Sequence, residues 1–243
     1  MSPINAAEDP HNSPMLFVSM SIVFIAVTVT GFGPTFFFSA FSDSPALPFR
    51  HMLHGVIFTS WYALFFVQSL AIYQSNFRLR KLLGYCGVFL AFAIIINAAV
   101  MVVYFTNDFQ PTGNPGDLIF KATGVWANFH LALSYVLFVS LALAYRLQPH
   151  LHQRFMLLAS IGMMTASVTR IGTSGVVPIH AGTFTFIGMF ILLMTPICYE
   201  YVTYKKVHPI YKWGAAGYFV TLILFAAVMP FTSVGQAAVF LFK

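Results

Sequence analysis

The sequence predicts an all-α integral membrane protein, a bundle of seven transmembrane helices. Of its 243 residues, 59% are apolar and only 7% are charged. A water-soluble domain normally carries charge on about a quarter of its residues, so a chain this poor in charge must contact lipid. A helix needs about 20 apolar residues to cross the hydrocarbon core of a bilayer. Apolar stretches of that length occupy nearly the whole chain.

Seven stretches meet this length, and polar or proline-containing connections separate them. Examples are residues 42–48 after the first stretch, residues 107–117 after the third, and Pro209 before the last. Pro230 is interpreted as a kink within one long last helix, since membrane helices tolerate proline where neighbouring groups satisfy the freed carbonyls. Residues 1–14 are predicted to form a polar tail and residues 15–243 a single transmembrane domain. The predicted helices are 15–38, 54–74, 85–105, 121–145, 155–177, 183–204 and 213–240.

The distribution of basic residues predicts the orientation of the chain. Cytoplasmic loops of membrane proteins are enriched in lysine and arginine. With the N-terminus inside, the outer side holds Arg50, Lys121 and Lys243, whereas the inner side holds eight basic residues. We therefore predict that the N-terminus is inside and the C-terminus outside. The eight inner residues are Arg78, Arg80, Lys81, Arg146, Arg154, Lys205, Lys206 and Lys212.

A faint internal repeat relates two parts of the chain at an offset of 73 residues. It pairs Tyr62 with Tyr135 and Lys81 with Arg154, among other positions. Apolar composition by itself is enough to produce most of these matches. If the repeat is genuine, helices two and three are a parallel copy of helices four and five, an arrangement that occurs in membrane bundles.

Charge and motifs argue against several classes of function. The net charge of +6 is spread over the loops in clusters of at most three basic residues, so we expect no nucleic-acid partner. Cys86 and Cys198 lie in apolar stretches, without the spacing of a disulfide framework or a thiolate metal site. The sequence contains neither G-x-S-x-G nor H-E-x-x-H. It also has no membrane-embedded carboxylate that is well placed for proton or cation transport.

Four histidines and one arginine are the candidate functional residues, because polar groups are costly inside a membrane. His51 and His54 are three residues apart at the start of the second helix, which places them on one helical face. His130 lies nine residues beyond Lys121, or about 13 Å along the fourth helix. His180 falls in the outer loop between helices five and six. Arg170 lies in the outer half of the fifth helix, where we expect it to face the bundle interior and pair with a negative group.

These residues are consistent with a cofactor site near the outer face. Imidazole binds zinc, copper and iron when two or more rings converge on one point. A mononuclear metal would take three of the four histidines. A haem would take two of His51, His54 and His130 as axial ligands, with Arg170 neutralising a propionate. Alternatively, His51 and His54 are interfacial residues, His130 is hydrogen-bonded between helices, and His180 is solvated.

Three segments resemble a group of uncharacterised bacterial polytopic membrane proteins. They are HGVIFTSWYALFFVQSL from His54, RKLLGY from Arg80, and HQRFMLLA from His152. A more distant similarity is to membrane proteins of haem-copper oxidase maturation. The resemblance covers residues 50–170 and implies a polytopic helical fold with a respiratory or haem-related role. The chain departs from the group at Arg80, where the group usually has a histidine. The matching positions are His54, Gly55, Trp61, Gln68, His152, Arg154 and Arg170.

Three hypotheses of function follow. The first is a multi-pass protein of the bacterial inner membrane that holds a haem or a histidine-bound zinc, copper or iron ion, for electron transfer or respiratory-oxidase assembly. The second is a non-catalytic accessory subunit that packs its 28 phenylalanines against lipid and against a larger membrane complex, such as a respiratory one. The third is a protein that binds or transports an apolar molecule such as a quinone, carotenoid or sterol.

Overall fold

The computed structural model describes residues 14–41, 47–107, 110 and 114–240. These residues are helical, without a strand among them, and seven helices are long and apolar enough to cross a membrane. The predicted fold class is therefore confirmed. The predicted tail, apart from Pro14, and residues 241–243 lie outside the described residues. The helices are α1 (Pro14–Phe32), α2 (Phe49–Tyr73), α3 (Phe77–Asn107), α4 (Pro115–Ala144), α5 (Pro149–Thr173), α6 (Ala181–Tyr204), α7 (Pro209–Leu222) and α8 (Ser233–Ala237).

Most of the helices begin earlier than the apolar pattern predicts. Helix α4 starts at Pro115, six residues before Lys121, and α5 and α7 likewise start at a proline. Proline suits the first helical position because the N–H that it lacks would have no partner there. The side chain of Asn114 caps α4 by accepting a hydrogen bond from the backbone N–H of Gly116 at 2.9 Å. Polar first turns therefore extend the helices beyond their apolar stretches.

The end of the last transmembrane helix differs from the prediction of a single kinked helix. Helix α7 continues through a π-helical segment, Ile223–Val228, and a short 3-10 turn, Met229–Phe231. The chain is then extended at Thr232, whose hydroxyl accepts from the N–H of Gly235 and starts the separate helix α8. The prediction of one kinked helix was wrong: the chain leaves the helix at Thr232, two residues beyond Pro230, where the threonine hydroxyl caps a new helix.

Helix α5 is the centre of the bundle. In its most apolar stretch 67% of the residues are buried, against 17–33% in the other spans. It packs against α1, α4, α6 and α7, and small residues permit the close approaches. A Cβ atom added at Gly31 of α1 would lie 2.6 Å from the carbonyl oxygen of Ser167 in α5. The two backbones are therefore in direct contact at this crossing.

Successive helices run in opposite directions, so the connections fall at two ends of the bundle. We call the end with the connections 74–76, 145–148 and 205–208 the basic end, because it carries the eight basic residues predicted to face inward. The opposite end is the distal end. We call the boundary between the hairpin α2–α3 and the hairpin α4–α5 the seam. The seam is also where the two halves of the predicted repeat would meet.

Candidate functional site

His54 lies on the seam and is held by a neighbouring helix. Its Nδ1 donates a hydrogen bond to Oδ1 of Asn97 in α3 at 2.6 Å, and its ring stacks on Phe58 with centroids 4.3 Å apart. The ring lines a cavity of about 80 Å³, which the buried side chain of Tyr135 also lines. Ligand and cofactor pockets typically have volumes of about 300–1,000 Å³. This cavity is therefore far smaller than a haem pocket.

His130 lies deeper than predicted and faces away from that cavity. Since α4 begins at Pro115, the ring is 15 residues into a helix of 30, which at about 1.5 Å per residue places it midway along the helix. It is fully buried, with its ring 4.6 Å from the ring of Tyr218 in α7. The neighbouring Leu131 and Tyr135 face the His54 cavity instead. His54 and His130 consequently lie on different sides of α4.

The remaining predicted residues lie toward the distal end. His51 is half-buried, and its Nδ1 has no partner among the described residues. His180 is exposed and caps α6 by accepting from the N–H of Gly182 at 3.2 Å. Arg170 is exposed in the last turn of α5 and donates to the hydroxyl of Thr35 at 2.8 Å. The expectation that Arg170 faces the bundle interior was wrong, because α5 ends at Thr173 and leaves this side chain at the helix end.

The four histidines do not converge on one point, although His51 and His54 remain neighbours one turn apart on α2. In the part of the chain that the structure describes, no group of three or more His, Cys, Asp and Glu side chains could hold a metal ion. The three-histidine arrangement expected from the sequence is therefore not formed by these residues. Side-chain direction on a helix depends on how the helix is rotated in the bundle, and an evenly apolar helix does not specify that rotation.

A much larger cavity lies at the basic end of the seam. We call it the basic crevice. It has a volume of about 560 Å³, which is within the usual range of ligand pockets. Apolar and aromatic side chains from five helices form most of its wall. These include Phe17, Phe65, Ile72, Tyr85, Val88, Leu143 and Met156.

The crevice carries a cluster of positive charge. Arg80 and Lys81 of α3 and Arg146, just after α4, line it. None of the described lining residues is acidic. His152 also lines it and donates from Nδ1 to the carbonyl oxygen of Ala142 at 2.8 Å, so its other ring nitrogen is available to a ligand. An anion at this position would be attracted by three cations without an opposing carboxylate in the wall.

Two primary amides lie in the same crevice. Gln68 of α2 and Gln153 of α5 line it, and neither side chain makes a hydrogen bond to a described residue. Gln153 is only 6% exposed, and its Oε1 atom is buried without a partner. Buried polar atoms are normally paired with protein or with bound water. The buried oxygen of Gln153 therefore requires a partner beyond the described residues, either bound water or a polar ligand.

A buried ion pair stands next to the crevice and fixes the start of α5. Arg154 follows Gln153, and its Nε and Nη2 atoms donate to Oε1 of Glu200 in α6 at 3.1 and 2.9 Å. Both side chains are 2% exposed. The second carboxylate oxygen of Glu200 accepts from the backbone N–H of His208 at 2.6 Å. The pair therefore joins α5, α6 and the segment that precedes α7.

Sequence reasoning did not select this region, because a basic helix start such as that of His150, His152 and Arg154 can bind a lipid head group but more often anchors the helix at the inner membrane surface. The charge pattern predicted the basic end, but it gave no sign that Arg80, Lys81 and Arg146 converge with two glutamines. Glu200 was the one available signal, since a carboxylate within an apolar helix requires a partner. Its partner is 46 residues away in sequence, so only the packed bundle identifies it.

The residues that carry the sequence resemblance have distinct places in the fold. Gln68 and His152 line the basic crevice, and the indole N–H of Trp61 donates to the hydroxyl of Ser160 at 3.1 Å inside the core. Arg154 forms the buried ion pair. No protein-family model, curated protein or solved structure matches the chain. The resemblance therefore stays a prediction.

Proposed function

We propose that this multi-pass membrane protein binds an amphiphilic molecule with an anionic head group in the basic crevice. One observation carries the proposal: an apolar cavity of about 560 Å³ has three cations and no described acidic residue in its wall. The proposal develops the third hypothesis from the sequence, that the protein binds an apolar molecule. It adds that this molecule has a negatively charged head group. It makes the protein a carrier of, or a receptor for, a lipid-like anion.

The chemistry of the crevice suits the two parts of such a molecule. Near a membrane surface each lysine or arginine contributes about 1 kcal/mol to binding an anionic lipid, so three give a preference of about 100-fold for an anion over a neutral head group. The apolar wall contacts the chain of the ligand, where each buried methylene contributes about 0.8 kcal/mol. Head group and chain are thus both recognised.

The proposed orientation places the crevice on the cytoplasmic side of a bacterial inner membrane. It is supported by the excess of lysine and arginine at the basic end, which is typical of cytoplasmic loops. A single cysteine introduced in place of Lys206, with Cys86 and Cys198 replaced by alanine, tests it. Labelling of this cysteine in intact cells by a membrane-impermeant maleimide would contradict the orientation.

The binding proposal is tested with two short-chain lipids on the purified protein in mild detergent. Dihexanoyl phosphatidylethanol is anionic and dihexanoyl phosphatidylcholine is zwitterionic, with the same acyl chains. We expect the anionic lipid to bind more tightly, and the double substitution Arg80→Ala with Arg146→Ala to weaken it by about 30-fold. Arg78→Ala is the matched control, because Arg78 is exposed at the same end but does not line the crevice.

Two results would contradict the proposal. One is equal affinity of the wild-type protein for the two lipids. The other is an unchanged affinity for the anionic lipid in the double variant. An equal loss in the Arg78→Ala control would also count against the crevice as the site, since general surface charge would then explain the binding.

A second candidate function is the haem or metal site predicted from the histidines. It is supported by two buried ring nitrogens without a described partner, Nδ1 of His51 and Nε2 of His130. A metal-ligating histidine presents such a nitrogen to the ion. An absorption spectrum of oxidised and dithionite-reduced protein, with elemental analysis, tests it. Full retention of any cofactor in both His51→Ala and His130→Ala would contradict these ligands.

A further inference from the structure

We infer that the head group recognised by the basic crevice carries hydroxyl groups as well as negative charge. This inference rests on the proposed function and deepens it by naming the class of ligand. The observation that carries it is independent of the cations: two amide side chains, Gln68 of α2 and Gln153 of α5, line the crevice from the two sides of the seam without a hydrogen-bond partner among the described residues.

The two amides differ in burial but share their unpaired state. Gln153 is more than nine-tenths buried, and its Oε1 atom reaches neither solvent nor a described donor. Gln68 is half-buried on the opposite wall. Ser69 beside it already donates its hydroxyl proton to the carbonyl oxygen of Phe65 at 2.8 Å and has none left to donate to an amide oxygen. Since the described residues supply no partner to Oε1 of Gln153, water or a bound head group is left to supply it.

A hydroxyl group matches an amide better than an ionised oxygen does. An amide offers two N–H donors and one carbonyl acceptor, and a hydroxyl both donates and accepts. A phosphate oxygen only accepts, which would leave the carbonyl oxygen of Gln153 unpaired. The cations Arg80, Lys81 and Arg146 already provide for the negative charge, so the amides are free to recognise hydroxyls.

The ligand class that combines these features is a phosphodiester lipid whose head group ends in hydroxyls, as in a glycerol or sugar head group. A site built to hydrogen-bond a hydroxyl discriminates strongly against an analogue without it, because buried polar groups are then left unpaired. The apolar wall distinguishes a lipid from a free head group, since only the lipid has chains to bury there.

The test compares three probes on the full-length protein in mild detergent. Dihexanoyl phosphatidylglycerol and dihexanoyl phosphatidylethanol have the same charge and chains, but only the first has free hydroxyls. Glycerol 3-phosphate has hydroxyls and charge without chains. We expect phosphatidylglycerol to bind about tenfold more tightly than phosphatidylethanol, and glycerol 3-phosphate to bind more weakly than either.

Variants assign the preference to the amides. Gln153→Leu and, separately, Gln68→Leu should reduce the preference for phosphatidylglycerol to about threefold or less while leaving phosphatidylethanol binding in place. Gln74→Leu is the matched control, because Gln74 is exposed at the same end and does not line the crevice. It should keep the full preference. The two separate variants keep the test valid if one of them fails to fold.

The outcomes separate this inference from the proposal on which it rests. Equal binding of the two lipids to the wild-type protein overturns the hydroxyl preference and leaves anion binding intact. A preference that persists in both glutamine variants overturns the assignment to the amides. Binding of neither lipid overturns both proposals. Glycerol 3-phosphate binding as tightly as phosphatidylglycerol overturns the lipid as the ligand and identifies a soluble phosphate instead.

Discussion

Replacing Glu200 with glutamine should strongly destabilise the bundle. The substitution keeps the shape of the side chain and an oxygen that can accept from the N–H of His208, but it removes the negative charge. Arg154, which is 2% exposed, then keeps a buried positive charge without its counterion. Removing one partner of a buried ion pair leaves the charge of the other partner uncompensated. Keeping this charge buried is what destabilises the folded protein.

The magnitude follows from the burial and the geometry of the pair. The Nη2–Oε1 distance is 2.9 Å, and both side chains are 2% exposed, so solvent does not screen the interaction. Losing one partner of such a pair costs about 3–5 kcal/mol of the free energy of unfolding. In a protein of this size each kcal/mol shifts Tm by about 2–4 °C. We therefore expect Glu200→Gln to lower Tm by about 10 °C.

Thermal unfolding of the purified protein in detergent, followed by circular dichroism, measures this effect. The decisive comparison is the double variant Arg154→Met with Glu200→Gln, which removes both charges. The double variant should be more stable than Glu200→Gln alone. Replacing both charges of a buried ion pair with uncharged side chains of similar size changes the free energy of unfolding little. Arg78→Ala, at an exposed site of the same end, should leave Tm unchanged. A Glu200→Gln variant within about 2 °C of the wild type, or a double variant less stable than the single one, would refute the reasoning.

Two further substitutions test the packing and a helix cap. Gly31→Ala should lower Tm by several degrees, because its Cβ would lie 2.6 Å from the carbonyl oxygen of Ser167 and overpacking costs about 1–3 kcal/mol. Gly217→Ala, where a Cβ would meet nothing within 4 Å, is the matched control and should not lower it. His180→Ala should cost about 0.5 kcal/mol by removing the cap on Gly182, and His180→Asn should restore it; a larger loss that asparagine fails to restore would contradict a capping role.

The transmembrane helices could be predicted from the sequence because each is specified locally. Apolar length alone identifies a span, and the prolines at positions 115, 149 and 209 refine where three helices begin. The break after Pro230 depended on Thr232, whose hydroxyl starts a separate turn with Gly235. Proline permits either a kink or a break in a membrane helix, and the local capping group decides between them.

The candidate site could not be predicted in the same way. His51, His54, His130 and His180 were selected because each is polar in an apolar region, and this property does not determine the direction of a side chain. His54 of α2 faces the seam, whereas His130 faces Tyr218, because α4 is rotated to place Leu131 and Tyr135 at the seam. Arg80, Arg146 and Gln153 come from α3, from the connection after α4 and from α5. They converge only when these three parts of the chain pack together.

The sequence by itself determined that the chain is a seven-helix membrane protein with one basic end. Hydrophobic length and charge are summed along the chain and require no knowledge of neighbours. Only the tertiary structure decided that Arg154 is paired with Glu200, that His130 lies apart from His54, and that a basic crevice lined by two amides opens at the seam. The physical reason is that helices which are apolar on most sides carry little information about their rotation. Contacts between small residues, such as Gly31 against Ser167, fix that rotation once the helices meet.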